Sequence, residues 1–216
     1  MGVILETKII LIRHGESLGN ANKLYLGHTD LDLSERGKEQ ALEAAEYFKE
    51  REISAVYSSD LLRAYNTALP HAELRGLKVI KSVELREVHV GKWEGMPVAE
   101  VRRIWPHEFD VEWREKFGSM SPPGGESVFL AGRRMYDKLL SIAKSEEGTV
   151  LVASHGAVIR AFWCYANGVE PCKWAPYVPF PSNASASFVG FDGEKLIPLE
   201  FSFDAYISNK TFIVDA

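Results

Sequence analysis

With 216 residues, a net charge of −5 and a sequence pI near 5.7, the chain lacks the basic face that nucleic acid or an anionic membrane would demand. Its length and ordinary globular composition suit one domain, or one domain with a sizeable insertion, with a large core. With that net charge, any anion it binds is expected to be held by a few local cations, and no stretch approaches the ~20 apolar residues of a membrane span.

In chain order, Met1 to Glu6 does not read as a signal peptide, because Glu6 and Lys8 interrupt a short apolar run. It is not a myristoylation signal either, since Glu6 stands where Ser or Thr is needed. A cytoplasmic location is expected, and the sequons at Asn183 and Asn209 then carry little weight. Cys164 and Cys172, the only cysteines, read as two reduced structural thiols. Ile9-Ile10-Leu11-Ile12 predicts a buried strand that breaks into Arg13-His14-Gly15 at its carboxyl end, where ligands bind in open α/β sheets. Gly15 has no Cβ and would let a bulky ligand approach the backbone beside His14.

A polar loop from Glu16 to Asp32 follows, then a helix from a Ser34 cap to about Lys49 with Ala41, Leu42, Ala45 and Phe48 on one face. Ile53 to Tyr57 is a second strand, ending in Ser58-Ser59-Asp60. A helix from an Asp60 cap to Leu69, stopped by Pro70, places Arg63 in its first turn. Leu77 to Ile80 is a short strand. Glu84 to Gly125 is rich in Gly, Pro and Trp and reads as a lid-like insertion, with helices near 97–105 and 107–117 and Pro97 at the start of the first.

Ser127 caps a long helix to about Lys144, and Thr149 to Ala153 is a strand running into Ser154-His155-Gly156. A helix from Ala157 to Ala166 ends at Asn167-Gly168. Ser185 to Phe191 and Leu196 to Phe203 form a hairpin about Asp192-Gly193. The fold class expected is α/β, a three-layer αβα sandwich whose mainly parallel sheet has an antiparallel edge. Residues 1–216 would form one domain with the insertion at about 84–125.

Parallel strands bring their carboxyl ends to one edge, so Arg13-His14-Gly15, Ser58-Ser59 with Arg63, and Ser154-His155-Gly156 can converge. Two histidines and two arginines together repel unless an anion or a carboxylate sits among them. Guanidinium groups match phosphate oxygens bidentately, and the helix after His155 would add N–H groups. That describes a dianion site without a metal. A neutral imidazole is a fair nucleophile near pH 7, and a poor alkoxide leaving group needs an acid, for which Glu87 is the candidate. Taken singly, Arg63 could be a surface residue, Glu87 a solvated loop carboxylate and His155 a satisfied core histidine.

Arg13-His14-Gly15-Glu16-Ser17, with Asn20 six residues beyond the histidine, resembles the signature of the histidine phosphatase superfamily, founded on the cofactor-dependent phosphoglycerate mutases. The resemblance continues through Ser58-Ser59-Asp60-Leu61-Leu62-Arg63-Ala64, Leu85-Arg86-Glu87, Trp93-Glu94-Gly95, Gly124-Gly125-Glu126-Ser127 and Val152-Ala153-Ser154-His155-Gly156. It implies the phosphoglycerate mutase-like fold and a phosphohistidine on His14. Arg13, Asn20, Arg63 and His155 would hold the phosphoryl oxygens, and Glu87 would act as general acid and base, with no metal or cofactor.

Within such a family, the acidic insertion and the Pro122-Pro123-Gly124-Gly125 stretch favour a phosphatase of small phosphorylated metabolites. A cofactor-dependent phosphoglycerate mutase is the alternative, with Arg102-Arg103 mimicking its arginine pair. A catalytically idle phospholigand-binding protein is the alternative of another class, although both nucleophile and acid are present. Leaving-group choice would rest on Leu26, Gly27 and His28 and on the tryptophans Trp93, Trp105 and Trp113. Broad activity is expected, with phosphosugars, phosphoglycerates, phosphoserine and α-ribazole phosphate all open.

Overall fold

A computed structural model describes residues 5–210. The reading of Met1 to Glu6, and positions 211–216 of the expected single domain, lie partly or wholly outside these. The elements are β1 (Thr7–Arg13), α1 (Leu18–Ala21), α2 (Glu35–Tyr47), β2 (Ala55–Ser59), α3 (Leu62–Glu73), β3 (Val79–Ser82), α4 (Val98–Ile104), α5 (Val128–Ser145), β4 (Gly148–Ser154), α6 (Gly156–Ala166), α7 (Trp174–Tyr177), β5 (Ala186–Phe191) and β6 (Leu196–Phe203).

Six strands form one sheet in the order β3-β2-β4-β1-β5-β6. The first four are parallel, while β5 runs antiparallel to β1 and β6 antiparallel to β5. Alternation along β1 explains the layering. Ile9 and Leu11 point into a core shared with α5, α6 and the insertion, whereas Ile10 and Ile12 point into a second core with α2 and α3. Each such buried side chain contributes roughly 1.5–3 kcal/mol, which is why an unbroken apolar run sits at the sheet centre. The expected three-layer α/β sandwich with an antiparallel edge is what forms.

Local expectations fail where distant residues intervene. Asp60 does not cap α3; its carboxylate takes Arg86 in a two-point ion pair at 2.7 and 2.5 Å. The Leu62 N–H donates instead to Asp30 Oδ1 at 2.7 Å. Nor does Pro70 stop α3, which runs on to Glu73. A proline costs a helix about 3 kcal/mol, yet the helix continues here with Ala68 and Ala72 on either side of it packed into the core. On α2 the buried face is Ala41, Ala44 and Ala45, with Leu42 left 60% exposed. The strands β2 and β3 each begin two residues later than expected. Of the helices expected in the insertion, α4 forms, with Pro97 just before it as its cap residue. The second also forms, as a helical stretch over 106–115 whose centre is π-helical (Glu108–Trp113), followed by a short 3-10 turn (Phe117–Ser119). The loop after β1 contains α1, closed by a Ser17–Asn20 capping box. Cys164 is buried but Cys172 is exposed, so only the first has a place in the core.

His71 is buried on α3, and neither ring nitrogen has a partner among the described residues. Burial, seconded by Arg75, pushes its pKa down to about 3. The unfolded chain takes up a proton near pH 6.5 that the native state refuses, so stability is present above that pH and lost as pH falls from 6.5 toward 3. His71→Leu is therefore expected to reduce the stability lost between pH 8 and pH 5 by on the order of 2 kcal/mol. Denaturant titrations at the two pH values check this; an unchanged loss would mean His71 is not the linked group.

Candidate active site

The sheet delivers His14 to its carboxyl edge and then fixes it. Its backbone N–H donates to Ser154 O on β4 at 2.9 Å, and its carbonyl accepts from Ala184 N and from Asn183 Nδ2. The next N–H, Gly15, donates to Thr67 Oγ1, whose hydroxyl donates to the Arg63 carbonyl, so the strand end and α3 are tied together. What approaches Gly15 is not open space for a ligand. A Cβ there would lie 2.4 Å from the Gly37 carbonyl oxygen, so the glycine exists to let α2 pack on the strand end.

His14 Nδ1 lies 2.6 Å from Gly15 O, and a carbonyl can only accept, so Nδ1 carries the hydrogen and Nε2 keeps its lone pair. The His155 ring meets it edge to face, with centroids 5.2 Å apart. Burial, then the charges of Arg63 and Arg13, hold the His14 pKa well below 6.5; burial and Arg63 do the same to His155. Both rings are neutral. Arg13 and Arg63 are also buried, which lowers each to about 10 against the opposing pull of Glu87, so both remain cations. Glu87 is thus the acidic residue that faces both arginines.

The arginines are anchored to main chain: Arg13 Nη1 donates to Pro181 O, and Arg63 Nη1 and Nη2 donate to Thr29 O and Gly27 O at 2.8 and 2.7 Å. That loop is in turn gathered by Glu94, which accepts from His28 N, Thr29 N and Thr29 Oγ1. Arg13 Nε, Arg63 Nε and both His155 ring nitrogens are buried with no partner among the described residues. Asn20 is oriented by an obligate donor. The Ser17 N–H is 3.1 Å from Oδ1, with Ser17 Oγ and Asn183 Nδ2 on the same oxygen, which leaves Nδ2 as the outward donor.

Glu87 Oε1 accepts from Val88 N and Val158 N, and Oε2 from Ala157 N, at 2.8–3.0 Å. The first turn of α6, expected to offer its N–H groups to an anion, is occupied by this side chain instead. A pocket of about 790 Å³ opens over these groups, with Arg13, His14, Asn20, Arg63 and Glu87 in its wall. His155 stays wholly buried against His14. Gly27 lines the pocket, but His28 does not. Its Nε2 lies 2.9 Å from Glu87 O and its ring packs on His89. Ser58 and Ser59 are buried at the end of β2, outside the pocket. Trp113 lines it, Trp93 is core against Tyr25, and Trp105 is not in its wall. Arg102 reaches the wall while its Nε donates to Asp110 Oδ2 at 3.1 Å; Arg103 points to solvent.

Asn183 is the site residue that sequence reasoning missed. It precedes β5, and because β5 is antiparallel to β1, the amino end of β5 lies at the same edge as His14. A search restricted to carboxyl ends passes over it.

A profile of the histidine phosphatase superfamily (branch 1) matches residues 9–202. The chain belongs to the histidine phosphatase superfamily. It is 35% identical over 97% of both chains to phosphoserine phosphatase 1 of Hydrogenobacter thermophilus. It is 32% identical to the 2,3-bisphosphoglycerate-dependent phosphoglycerate mutase of Bartonella tribocorum, over 95% of this chain and 97% of that one. Among solved structures, the mycobacterial glucosyl-3-phosphoglycerate phosphatase with VO3 superimposes with a TM-score of 0.82 at 28% identity, covering 91% of this chain and 99% of that one. This histidine phosphatase is accordingly a phosphoric monoester hydrolase. No helix among its described residues is long and apolar enough to cross a membrane.

Proposed function

We propose that this enzyme hydrolyses small organic phosphomonoesters in two steps on His14. The observation that carries the reading is that Arg13 Nε, Arg63 Nε and both His155 ring nitrogens are buried without a partner among the described residues, near a neutral imidazole whose Nε2 is the available lone pair. Nε2 attacks phosphorus, the P–O bond breaks, and the leaving oxygen takes a proton from Glu87. Arg13, Asn20, Arg63 and His155 hold the transferring oxygens, supplying the charge neutralisation on which phosphoryl transfer depends. Water then attacks the phosphohistidine and gives its proton to Glu87, the P–N bond breaks, and phosphate leaves.

Residues 84–125 act as a lid-like insertion within one domain, with Val98, Phe109 and Trp113 facing the leaving group. Apolar walls discriminate weakly, with a methylene worth about 1–3 kcal/mol, which supports breadth of choice. Phosphoserine and glucosyl-3-phosphoglycerate, named for the relatives, are the first candidates. Gly27 borders the leaving group, and His28 acts through the Glu87 main chain rather than by touching substrate. Two unpaired cysteines suit a cytoplasmic location.

Release of phosphate from p-nitrophenyl phosphate and from phosphoserine, with and without chelator, tests the reading. Chelator is expected to change neither rate; loss of activity restored by a divalent ion would overturn metal independence. Faster interconversion of 2- and 3-phosphoglycerate than hydrolysis of either would favour the mutase. A second expectation concerns pH. Because kcat/KM reports free-enzyme ionisations, its profile should show no enzyme limb centred at 6.5, once the substrate's own second ionisation near pH 6 is allowed for. An ordinary histidine limb there would contradict a His14 held neutral by burial and two arginines.

A further inference from the structure

The segment that carries Glu87 has no regular structure of its own beyond one 3-10 turn, Val83–Leu85. Its four successive carbonyls are each held from outside. Leu85 O accepts from Ser154 Oγ at 2.8 Å, and Glu87 O lies 2.9 Å from His28 Nε2. The other contacts come from one residue of α5. Arg134 Nη1 donates to Glu84 O at 2.7 Å and to Arg86 O at 3.1 Å, and Nη2 donates to Glu87 O at 3.3 Å. Nη2 also donates to Glu126 Oε1 at 2.7 Å, and that same oxygen accepts from His89 N at 2.9 Å. Arg134 itself is not in the wall of the pocket.

A single planar fork therefore holds the chain leading up to the proposed acid, binding three carbonyls before it or at it, while its counter-ion binds the N–H two residues after. Lysine, a point charge on a flexible stem, cannot reproduce that span. The Glu87 side chain has to meet three N–H groups across the pocket edge, on Val88, Ala157 and Val158, and a shift of about 1 Å in such a group is enough to cost catalysis heavily.

We propose that Arg134, balanced by Glu126, is the positioning residue for the general acid, acting on Glu87 through its main chain without touching substrate. The inference rests on the acid role proposed for Glu87. It has a signature that a merely structural role would lack. Formation of the phosphoenzyme governs kcat/KM, and only a poor leaving group needs the proton. A displaced acid should harm alkyl phosphates far more than p-nitrophenyl phosphate.

The experiment measures kcat/KM for phosphoserine and for p-nitrophenyl phosphate in the wild type, Arg134→Met, Arg134→Lys, Glu126→Gln and Glu87→Gln. Arg134→Met is expected to lower the phosphoserine value at least ~10-fold more than the p-nitrophenyl phosphate value, within the range a lost acid commands. Arg134→Lys and Glu126→Gln should show the same bias more weakly, and they carry the test if Arg134→Met does not fold. Equal losses on both esters in the Arg134 and Glu126 variants, beside a biased loss in Glu87→Gln, would overturn the positioning role alone. An unbiased loss in Glu87→Gln would overturn the acid assignment and this inference with it.

Discussion

His14→Ala is expected to abolish turnover, by on the order of 10⁴–10⁶-fold, because it removes the atom proposed to bond to phosphorus rather than one that assists. The wild-type enzyme, quenched during turnover with radiolabelled substrate, should yield an acid-labile, alkali-stable phosphoprotein, and the variant none. The surrounding grip should survive. Arg13 and Arg63 are anchored to Pro181, Thr29 and Gly27 carbonyls and not to the His14 ring, so inorganic phosphate should still bind the variant. Retention of more than a few per cent of wild-type activity would place the nucleophile elsewhere.

Glu87→Gln should cost about 10²–10⁴-fold on alkyl phosphates. Two effects combine. The amide cannot give or take the proton, and its NH₂ accepts no hydrogen bond, so whichever carboxyl oxygen it replaces, Val158 N or Ala157 N loses its partner. The second effect is independent of leaving group, which gives a way to separate them. The loss on p-nitrophenyl phosphate estimates the structural part and the excess on phosphoserine the chemical part. No excess at all would reduce Glu87 to a helix cap, and Glu16, which also lines the pocket, would become the next candidate.

The parts legible in the sequence are those whose cause is local. The strands β1 and β4 are unbroken apolar runs because both of their faces are covered, and each ends in the polar residues that the fold brings together. Ser34 and Ser127 cap helices through bonds three residues away, so their roles could be read directly. Asp60 could not. By local preference it is a cap, but Arg86, 26 residues on, competes for it and wins with a charge-assisted pair. The same limit applies within the site. Arg13, His14, Asn20, Arg63 and Glu87 reach one pocket as expected, yet nothing in the sequence shows that Glu87 occupies the first turn of α6. Nor does it show that the His28 ring faces a main-chain carbonyl instead of the substrate. Asn183 stayed hidden because strand direction, a tertiary property, decides which end of β5 meets the site.

One consequence bears on how this scaffold can be retargeted. Both terminal nitrogens of Arg63 are committed to the loop at Gly27 and Thr29, and Glu94 clamps that loop from beneath. The segment that lines the pocket at Gly27 is also the mount for Arg63, the cation proposed to grip phosphate, so lengthening or reshuffling it is expected to trade chemistry for selectivity. The opposite wall has no such debt. Val98, Ala99 and Arg102 line the same pocket from a helix that anchors neither Arg13 nor Arg63 through the bonds described above. Variant libraries seeking new leaving groups belong on that helix, where a failed substitution loses a substrate and spares the catalyst.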